Sequence, residues 1–247
     1  MQQVAAIPDY LLETYWWAYV HPRAVRLFER QWLVNLILWG NFTKLRDAAL
    51  GELGESIPGR TLQVACVYGD FTPRLAARVA PGGSLDVVDV LPIQLANLRG
   101  KLGAASPVNL VNRDAADLGF ADASYDSVVL FFLLHEMPLD VRRRTLGEAL
   151  RVLKPGGRLV IVDYHRPLPW HPLRQLMRWI LRRFEPFAMD LWRDEITSWM
   201  PQPLEARVAL ETFYGGLYQK LVVTRDRRAQ SDSSSAAAAN VPSAATP

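Results

Sequence analysis

The sequence predicts an α/β fold with a doubly wound, mostly parallel sheet that ends in an antiparallel hairpin. From the second quarter of the chain onwards, apolar stretches of strand length alternate with patterns of helical period, which is typical of parallel strands joined by right-handed crossovers. The apolar stretch 61–67 runs through a tight turn into a helical pattern, as at the start of a nucleotide-binding βα unit. Near the end of the chain, Gly215 and Gly216 separate the strand patterns 204–214 and 217–224, which indicates a β-hairpin.

The elements of this domain are predicted in order over residues 56–225. Strands are predicted at 61–67, 84–89, 108–111, 125–132 and 158–163. Helices are predicted from Phe71, from Pro92 and over 140–153, and proline suits the first turn of a helix.

The first 55 residues are predicted to form a helical N-terminal cap. Apolar residues recur at helical spacing on both sides of His21 and Pro22, where proline interrupts the pattern. One interpretation is a cap packed on the core. The other is a lid over an apolar substrate, and the two are compatible. The lid interpretation depends on the aromatic residues Tyr15, Trp16, Trp17 and Trp39.

Composition excludes several classes of protein. The 247 residues suit one large domain, and a formal charge of +3 is too small an excess to indicate a nucleic-acid partner. The single cysteine, Cys66, cannot build a disulfide framework. The most apolar run, 32–39, is far shorter than the roughly 20 residues of a membrane-spanning helix. The tail 226–247 is rich in Ser, Ala and Pro and is predicted to be disordered.

Three positions fall at the carboxyl ends of consecutive predicted strands, where open parallel sheets bind ligands. They are the turn 68–70, Asp89 and Asp114. An acid about twenty residues beyond the first turn suits the ribose hydroxyls of a nucleotide, because a carboxylate accepts two hydrogen bonds. Asp114 and the Ala115 backbone suit an adenine edge. Each Asp could instead cap a helix or lie in a solvated loop, but the three positions together favour a nucleotide site.

Four segments resemble a known family: VACVYGDFTPRLA, LDVVDV, NRDAADLGFADASYDSVVL and ALRVLKPGGRLVIVD. Over residues 10–225 the chain resembles the class I S-adenosylmethionine-dependent methyltransferases, and by pattern the quinone C-methyltransferases of ubiquinone and menaquinone synthesis. The resemblance implies a Rossmann-like, seven-stranded, mostly parallel sheet with strand 7 inserted antiparallel. It also implies S-adenosylmethionine as the cofactor, with contacts from Gln63, Val67, Tyr68, Gly69, Asp89, Val90, Asp114, Ala115 and Phe131.

The first motif departs from the family's pattern of an acid, an apolar residue and three glycines at alternate positions. Gln63 stands in place of the acid, Ala65 and Val67 replace the first two glycines, and only Gly69 remains. The run VACVYG resembles that of the rhodoquinone biosynthesis enzymes. This resemblance implies conversion of ubiquinone to rhodoquinone, in which an amino group replaces a ring methoxy group. It also implies the cofactor's amine as the nitrogen source and Mn²⁺ as a helper ion.

The residue at position 63 favours amino transfer on physical grounds. An attacking amine must be neutral, and a nearby carboxylate raises an amine's pKa, whereas the amide of Gln63 does not. The remodelled turn at Val67 and Tyr68 would direct the amine toward the ring. Two other functions stay open. One is methyl transfer to a quinone or a similar apolar ring, and the other is a non-catalytic protein that binds the cofactor or associates with membranes.

Candidate catalytic and metal-binding residues follow the fourth and fifth predicted strands. His135 could take a proton from the attacking amine, because imidazole titrates near neutral pH. Tyr68 is the other catalytic candidate, or it shapes the pocket. Asp163 and His165, together with His135, could hold a divalent ion, since manganese accepts carboxylate and imidazole ligands. Hydrogen bonding within loops is the alternative for these residues.

A helical insertion, 165–200, contains the segment 171–184, which predicts contact with a membrane surface. Its apolar residues share one helical face: Leu173, Leu176, Met177, Ile180, Leu181 and Phe184. The polar face carries only arginines, which suits an anionic bilayer, and packing of the apolar face on the domain is the alternative. Because ubiquinone is a membrane quinone, the sequence predicts a peripheral protein on the cytoplasmic face of a bacterial inner membrane.

Overall fold

A seven-stranded sheet forms the centre of the molecule. The structure is a computed structural model that describes residues 5–16, 21–102, 106 and 108–227. The strands are β1 (Arg60–Val64), β2 (Ser84–Asp89), β3 (Val108–Asn112), β4 (Tyr125–Phe131), β5 (Leu153–Tyr164), β6 (Ala206–Phe213) and β7 (Tyr218–Arg225). Their order is β3-β2-β1-β4-β5-β7-β6, and only β7 runs antiparallel to its neighbours. The predicted fold class, including the terminal hairpin, is therefore confirmed.

Eight α-helices are described around the sheet. They are α1 (Asp9–Thr14), α2 (Pro22–Phe28), α3 (Gln31–Ile37), α4 (Phe42–Leu53), α5 (Phe71–Ala77), α6 (Pro92–Leu102), α7 (Leu139–Val152) and α8 (Arg174–Phe184). Short 3₁₀ helices lie at Leu134–Glu136, Pro186–Trp192 and Ile196–Trp199. Within the ranges given above, no helix is both long and apolar enough to cross a membrane.

The first strand is shorter than the sequence predicts. It ends at Val64 rather than at residue 67, because Ala65 has a left-handed backbone with φ +71°. The Gln63 side chain donates a hydrogen bond of 2.9 Å to the Ala65 carbonyl oxygen and so fixes the chain where it leaves the sheet. The three residues that were predicted to extend the strand instead begin the loop above its carboxyl end.

One N-terminal helix, α4, shares the hydrophobic core of the sheet, whereas Leu11 of α1 belongs to a separate small cluster. Helix α4 buries Phe42, Leu45 and Leu50 in that core. Its Glu52 pairs with Lys220 of β7 at 2.6 Å.

Trp17 of the predicted lid and residues 228–247 of the predicted tail lie outside the described residues.

Arg142 fastens the insertion to the segment that follows β4. The side chain is fully buried on α7, and its guanidinium donates hydrogen bonds to the carbonyl oxygens of Leu134, Met137 and Phe187 at 2.9–3.0 Å. It also lies 4.2 Å from the centre of the Trp199 ring, a cation–π distance. Because five donors are shared among several acceptors, a single side chain fixes the 3₁₀ helix Leu134–Glu136 against the insertion.

Candidate functional site

A cleft with about 640 Å³ of empty volume, counting its open mouth, lies at the carboxyl edge of the sheet. Its walls come from the segments that follow β1, β2, β3 and β4, together with Tyr10 and Leu11 of α1. The sequence-predicted residues that line it are Tyr68, Asp89, Val90, Asp114 and Ala115. Four others, Gln63, Val67, Gly69 and Phe131, lie outside this lining.

Asp89 fits the ribose hydroxyls of the expected cofactor. Its two carboxylate oxygens accept hydrogen bonds from the backbone N–H groups of Cys66 and Leu91, each 2.8 Å long. Burial raises the pKa of Asp89 to about 6, and the hydrogen bonds from the two N–H groups and from the Cys66 thiol lower it by less. A carboxylate has about four lone-pair positions, so Asp89 retains acceptor capacity for a ribose hydroxyl beside the bonds from the Cys66 and Leu91 N–H groups and the Cys66 thiol.

The end of β3 supplies the other half of the nucleotide site. One Asp114 carboxylate oxygen accepts a hydrogen bond from the Ala116 N–H at 2.8 Å, which holds the turn. The Asn112 side chain joins β3 to β2, because its amide donates to the carbonyl oxygens of Asp89 and Val90 at 2.9 Å each. These hydrogen bonds therefore hold Asp89, at the end of β2, and Asp114, after β3, in fixed relative positions before any ligand binds.

Gln63 lies beneath the cleft and not in its wall. The side chain is fully buried in β1, and its amide nitrogen donates to the Ala65 carbonyl oxygen. Its amide oxygen is buried without a hydrogen-bond partner in the part of the chain that the structure describes. An alanine at φ +71° is strained by about 1 kcal/mol, because its Cβ crowds the backbone in the left-handed region. The chain thus takes a left-handed backbone here with alanine, where glycine would adopt it without strain.

The rest of the loop is held by an ion pair. Glu29, at the end of α2, and Lys101 of α6 are 2.7 Å apart. The Lys101 ammonium donates to the carbonyl oxygens of Val67 and Gly69, and the Gly69 N–H donates to Glu29 at 3.1 Å. Gly69 has φ +80° and packs on Phe42, where an added Cβ would lie 2.9 Å from the ring. Gly69 is therefore required by packing and by its turn, and it faces away from the cleft.

A second, largely apolar cavity adjoins the cleft. It has about 1230 Å³ of empty volume, counting its open mouth, and side chains of α2, α3 and α8 form part of its wall. The two cavities share Cys66, Tyr68, Phe132 and Glu136 as common wall. Phe131, predicted to contact the cofactor, lies in this second cavity and is stacked on Phe71 with ring centres 4.4 Å apart. Phe132, where the chain turns with φ +54°, lines both the cleft and the apolar cavity.

Tyr68 lies on the wall between the two cavities. Its hydroxyl accepts a hydrogen bond of 2.8 Å from the Gln94 amide, and its ring is stacked on Phe28 with centres 6.0 Å apart. Burial raises the pKa of Tyr68 well above its usual range. The side chain is therefore a neutral, oriented phenol at physiological pH.

The Asp163 carboxylate beside His135 favours the protonated ring, which opposes the predicted role of His135 as a general base. Its Nδ1 lies 2.9 Å from a carboxylate oxygen of Asp163, and its Nε2 lies 3.7 Å from Glu136. Burial lowers the pKa of His135, but the Asp163 charge raises it by more, to about 9. Glu185, which also lines the apolar cavity, has a pKa raised by burial, and the charge of His135 opposes that shift.

Asp163 and His165 do not form the predicted metal site. Asp163 is fully buried, and its oxygens accept hydrogen bonds from the N–H of Leu134 at 2.8 Å and from His135. The His165 Nδ1 lies 2.8 Å from the Gly216 carbonyl oxygen, which can only accept. Among the residues with described positions, no three His, Cys, Asp or Glu side chains are grouped as metal ligands. The residues present therefore do not fit a manganese ion.

Several residues of the site carry no clear signal in the sequence. Tyr10 and Gln94 line the cleft, but each lies in an ordinary amphipathic helical pattern. Glu29 and Lys101 are 72 positions apart and are typical surface residues by type. Glu136 is the exception, because it lies in the segment after β4, at the edge where parallel sheets bind ligands.

The central part of the chain is similar to a known protein family and to curated proteins. Residues 61–157, from β1 to the start of β5, match the family model described as a methyltransferase domain. The ubiquinone/menaquinone biosynthesis C-methyltransferase UbiE of Ectopseudomonas mendocina (strain ymp) is 34% identical over 139 residues, which cover 55% of this chain and 54% of that protein. The demethylmenaquinone methyltransferase of Staphylococcus aureus (strain JH9) is 32% identical over 135 residues, 55% of each chain. The chain thus spans about half the length of the curated relatives it matches.

Solved structures share the fold at low sequence identity. An O-methyltransferase family protein from Burkholderia thailandensis aligns with a TM-score of 0.59 and 18% identity over 83% of this chain and 60% of its own. The PH0226 protein from Pyrococcus horikoshii OT3 aligns with a TM-score of 0.56 and 16% identity over 90% of this chain and 100% of its own. These structures have the Rossmann-like architecture described above.

Proposed function

We propose that the chain binds S-adenosylmethionine in the cleft and transfers a group from it to the ring of a lipophilic quinone. The favoured reaction is conversion of ubiquinone to rhodoquinone, in which an amino group replaces a ring methoxy group. One observation supports the proposal: the nucleotide-type cleft adjoins a large apolar cavity, and Cys66, Tyr68, Phe132 and Glu136 line both. A cofactor and an apolar ring would meet at this common wall.

In this proposal, Asp89 accepts the ribose hydroxyls and the turn Asp114–Ala115 contacts the adenine. Bound S-adenosylmethionine supplies either a methyl group or an amine. The chain contributes binding and orientation, because Asp89 and Asp114 are already fixed by their backbone hydrogen bonds. Such preorganisation lowers the entropy cost of bringing two reactants together.

The polar groups at the inner end of the apolar cavity suit the carbonyl oxygens of a quinone. His135 is an imidazolium and Tyr68 a neutral phenol at physiological pH, so both can donate a hydrogen bond. Donors near a ring carbonyl stabilise the negative charge that develops there when a nucleophile adds to the ring. His135 therefore acts in this proposal as an electrostatic group, which replaces the proton-accepting role predicted from the sequence.

The remodelled loop favours amino transfer. Gln63 is uncharged where the family has an acid, so it adds no negative charge that would keep an amine protonated. Its amide also donates to the Ala65 carbonyl, which a carboxylate could not do. The glutamine is therefore built into the loop as a structural donor.

Methyl transfer to a quinone ring is the second candidate. Curated relatives at 32–34% identity are named as C-methyltransferases of ubiquinone or menaquinone biosynthesis and as demethylmenaquinone methyltransferases. Their similarity supports a quinone substrate and methyl transfer alike. A non-catalytic role is the third outcome that an experiment must separate.

Mass analysis of quinones separates these functions. Cells that make ubiquinone but not rhodoquinone would express the chain, with methionine labelled with heavy nitrogen and transamination controlled. A labelled amino-quinone supports the proposal, and a methylated quinone supports the second candidate. With folded protein that binds S-adenosylmethionine, absence of any new quinone would refute both reactions.

A pair of variants tests the role of Gln63. Gln63→Glu introduces a charge and removes the donor to Ala65, whereas Gln63→Met removes only the donor. We expect Gln63→Glu to lose at least about tenfold more amino transfer than Gln63→Met, since one pKa unit on the amine changes its neutral fraction about tenfold. Equal losses in both variants, with equal cofactor affinity, would contradict the electrostatic argument.

A further inference from the structure

Helix α3 exposes an apolar surface that the described part of the chain does not cover. Its sequence QWLVNLI contains five large apolar residues, yet none of its residues is buried. Trp32 is 59% exposed and Leu36 is 63% exposed, and one helical turn separates them, so they lie on the same side. A helix this apolar is ordinarily packed on a core, so its exposure indicates a surface that contacts something apolar.

Helix α8 exposes a second apolar surface. Of the six residues predicted to share its apolar face, only Met177 and Leu181 are buried. Leu176 and Phe184 are each 42% exposed, and Trp179 is 61% exposed. Packing on the domain therefore leaves Leu176, Trp179 and Phe184 of this helix substantially exposed.

The two exposed surfaces meet at the mouth of the apolar cavity. Ile37 of α3 and Phe184 of α8 both line that cavity, and both are more than 40% exposed. The Trp39 indole N–H, just after α3, lies 3.1 Å from the Met177 sulfur of α8, so the two helices are neighbours. The cavity therefore opens between α3 and α8, amid exposed apolar side chains.

Unpaired positive charge accompanies these helices. Seven arginines on α8, on α2 and beside α2 form no salt bridge with any described residue: Arg23, Arg26, Arg30, Arg174, Arg178, Arg182 and Arg183. The nearby acids do not offset them at the surface, because Glu29 is paired with Lys101 and Glu185 faces the cavity. Exposed aromatic and aliphatic groups beside uncompensated arginines are complementary to a bilayer with anionic headgroups.

We propose that α3 and α8 form one docking surface for an anionic lipid bilayer, with the mouth of the apolar cavity against the membrane. Trp32, Leu36 and Trp179 insert among the acyl chains near the headgroups, and the arginines contact lipid phosphates. A lipophilic substrate then enters the cavity from the bilayer without crossing water. The substrate route rests on the proposed function, but the docking itself does not.

Vesicle co-sedimentation of the full chain tests docking without cofactor or quinone. The probes are phosphatidylcholine vesicles with and without phosphatidylglycerol. We expect binding to the anionic vesicles, and binding weaker by at least about tenfold for Arg182→Gln/Arg183→Gln, because each basic residue contributes about one factor of five at such a surface. The Trp32→Ser/Leu36→Ser variant should bind more weakly in both high-salt and low-salt buffer, because it removes apolar contacts rather than charge.

The matched control is Val208→Ser/Leu210→Ser on β6. These two residues are 43% and 52% exposed, comparable to the docking residues, but they lie on the edge strand of the sheet and do not line the cavity. All three double variants change exposed side chains, so each should unfold at the wild-type temperature.

Two results would overturn the proposal. One is a vesicle result without a difference at the docking surface: the wild type, the docking variants and the β6 control all bind equally, or the folded wild type does not bind at all. The other is a wild-type dimer that the docking variants convert to monomer while vesicle binding stays unchanged, which would assign the surface to a second copy of the chain. Turnover of a short-tailed quinone in detergent tests the proposed function separately, because it does not need docking.

Discussion

Lowering the pH from 7 to 5 should weaken S-adenosylmethionine binding about tenfold through Asp89 alone. The ribose hydroxyls donate hydrogen bonds, so the cofactor prefers the ionised carboxylate, which only accepts. With a pKa of about 6 in the unliganded protein, Asp89 is about 90% ionised at pH 7 and about 10% ionised at pH 5. Binding of the cofactor lowers this pKa, so affinity is lost as the pH falls through 6.

Isothermal titration calorimetry at the two pH values measures this effect. Asp89→Asn should bind more weakly at pH 7 and lose the pH dependence. Asp114→Asn is the control, because it alters the adenine end of the cleft and leaves Asp89 to titrate. His135, with a pKa of about 9, is charged at both pH values and adds nothing to the change. The reasoning is wrong if the wild type binds equally well at pH 5 and 7, or if Asp89→Asn keeps the tenfold loss.

Two further predictions concern the loop and the buried histidine. Ala65→Gly should raise the free energy of unfolding by about 1 kcal/mol in urea titrations, because glycine accepts φ +71° without strain. Ala48→Gly, inside α4, should lower the free energy of unfolding by a similar amount. If both variants lowered it equally, that result would argue against strain at Ala65. The Asp163 charge raises the pKa of His135 to about 9, so the charged pair stabilises the folded state. This contribution, about 3 kcal/mol, is fully present below pH 6.5 and is lost as the pH rises through 9. Asp163→Asn should abolish this pH dependence and bring the NMR titration midpoint of His135 below 7, and an unchanged midpoint would refute the pairing.

The sheet could be predicted from the sequence because its signals are local. The strand beginning at Ser84 and the helix beginning at Pro92 are found at the predicted residues, since an apolar run and a proline at a first helical turn each act within a few positions. The end of β1 could not be predicted in this way. It depends on the side chain of Gln63, which bonds to the backbone two residues on, and on a left-handed alanine that sequence patterns treat as an ordinary strand residue.

The candidate site was predictable only where strand ends determine it. Asp89 is the last residue of β2 and Asp114 lies two residues after β3, so topology brings them to the same edge. By contrast, the need for glycine at position 69 depends on Phe42, which lies 27 positions earlier and contacts Gly69 through tertiary packing. Phe131 and Phe132 are the same residue type, so a hydrophobic pattern cannot distinguish which of the two lines the cleft. The left-handed backbone of Phe132 cannot be read from that pattern.

The charges around the common wall bear on the choice between the two reactions. The carboxylate that the family carries at the first motif is absent, but Glu136 brings another carboxylate to the wall of both cavities. By itself, Glu136 would favour a protonated amine and so oppose amino transfer. The imidazolium of His135, 3.7 Å away, offsets that charge as long as the pH stays below about 9. Amino transfer in this chain would therefore depend on a protonated His135 held by Asp163, and it should decline once His135 loses its proton, whereas a general base would become more effective over the same range.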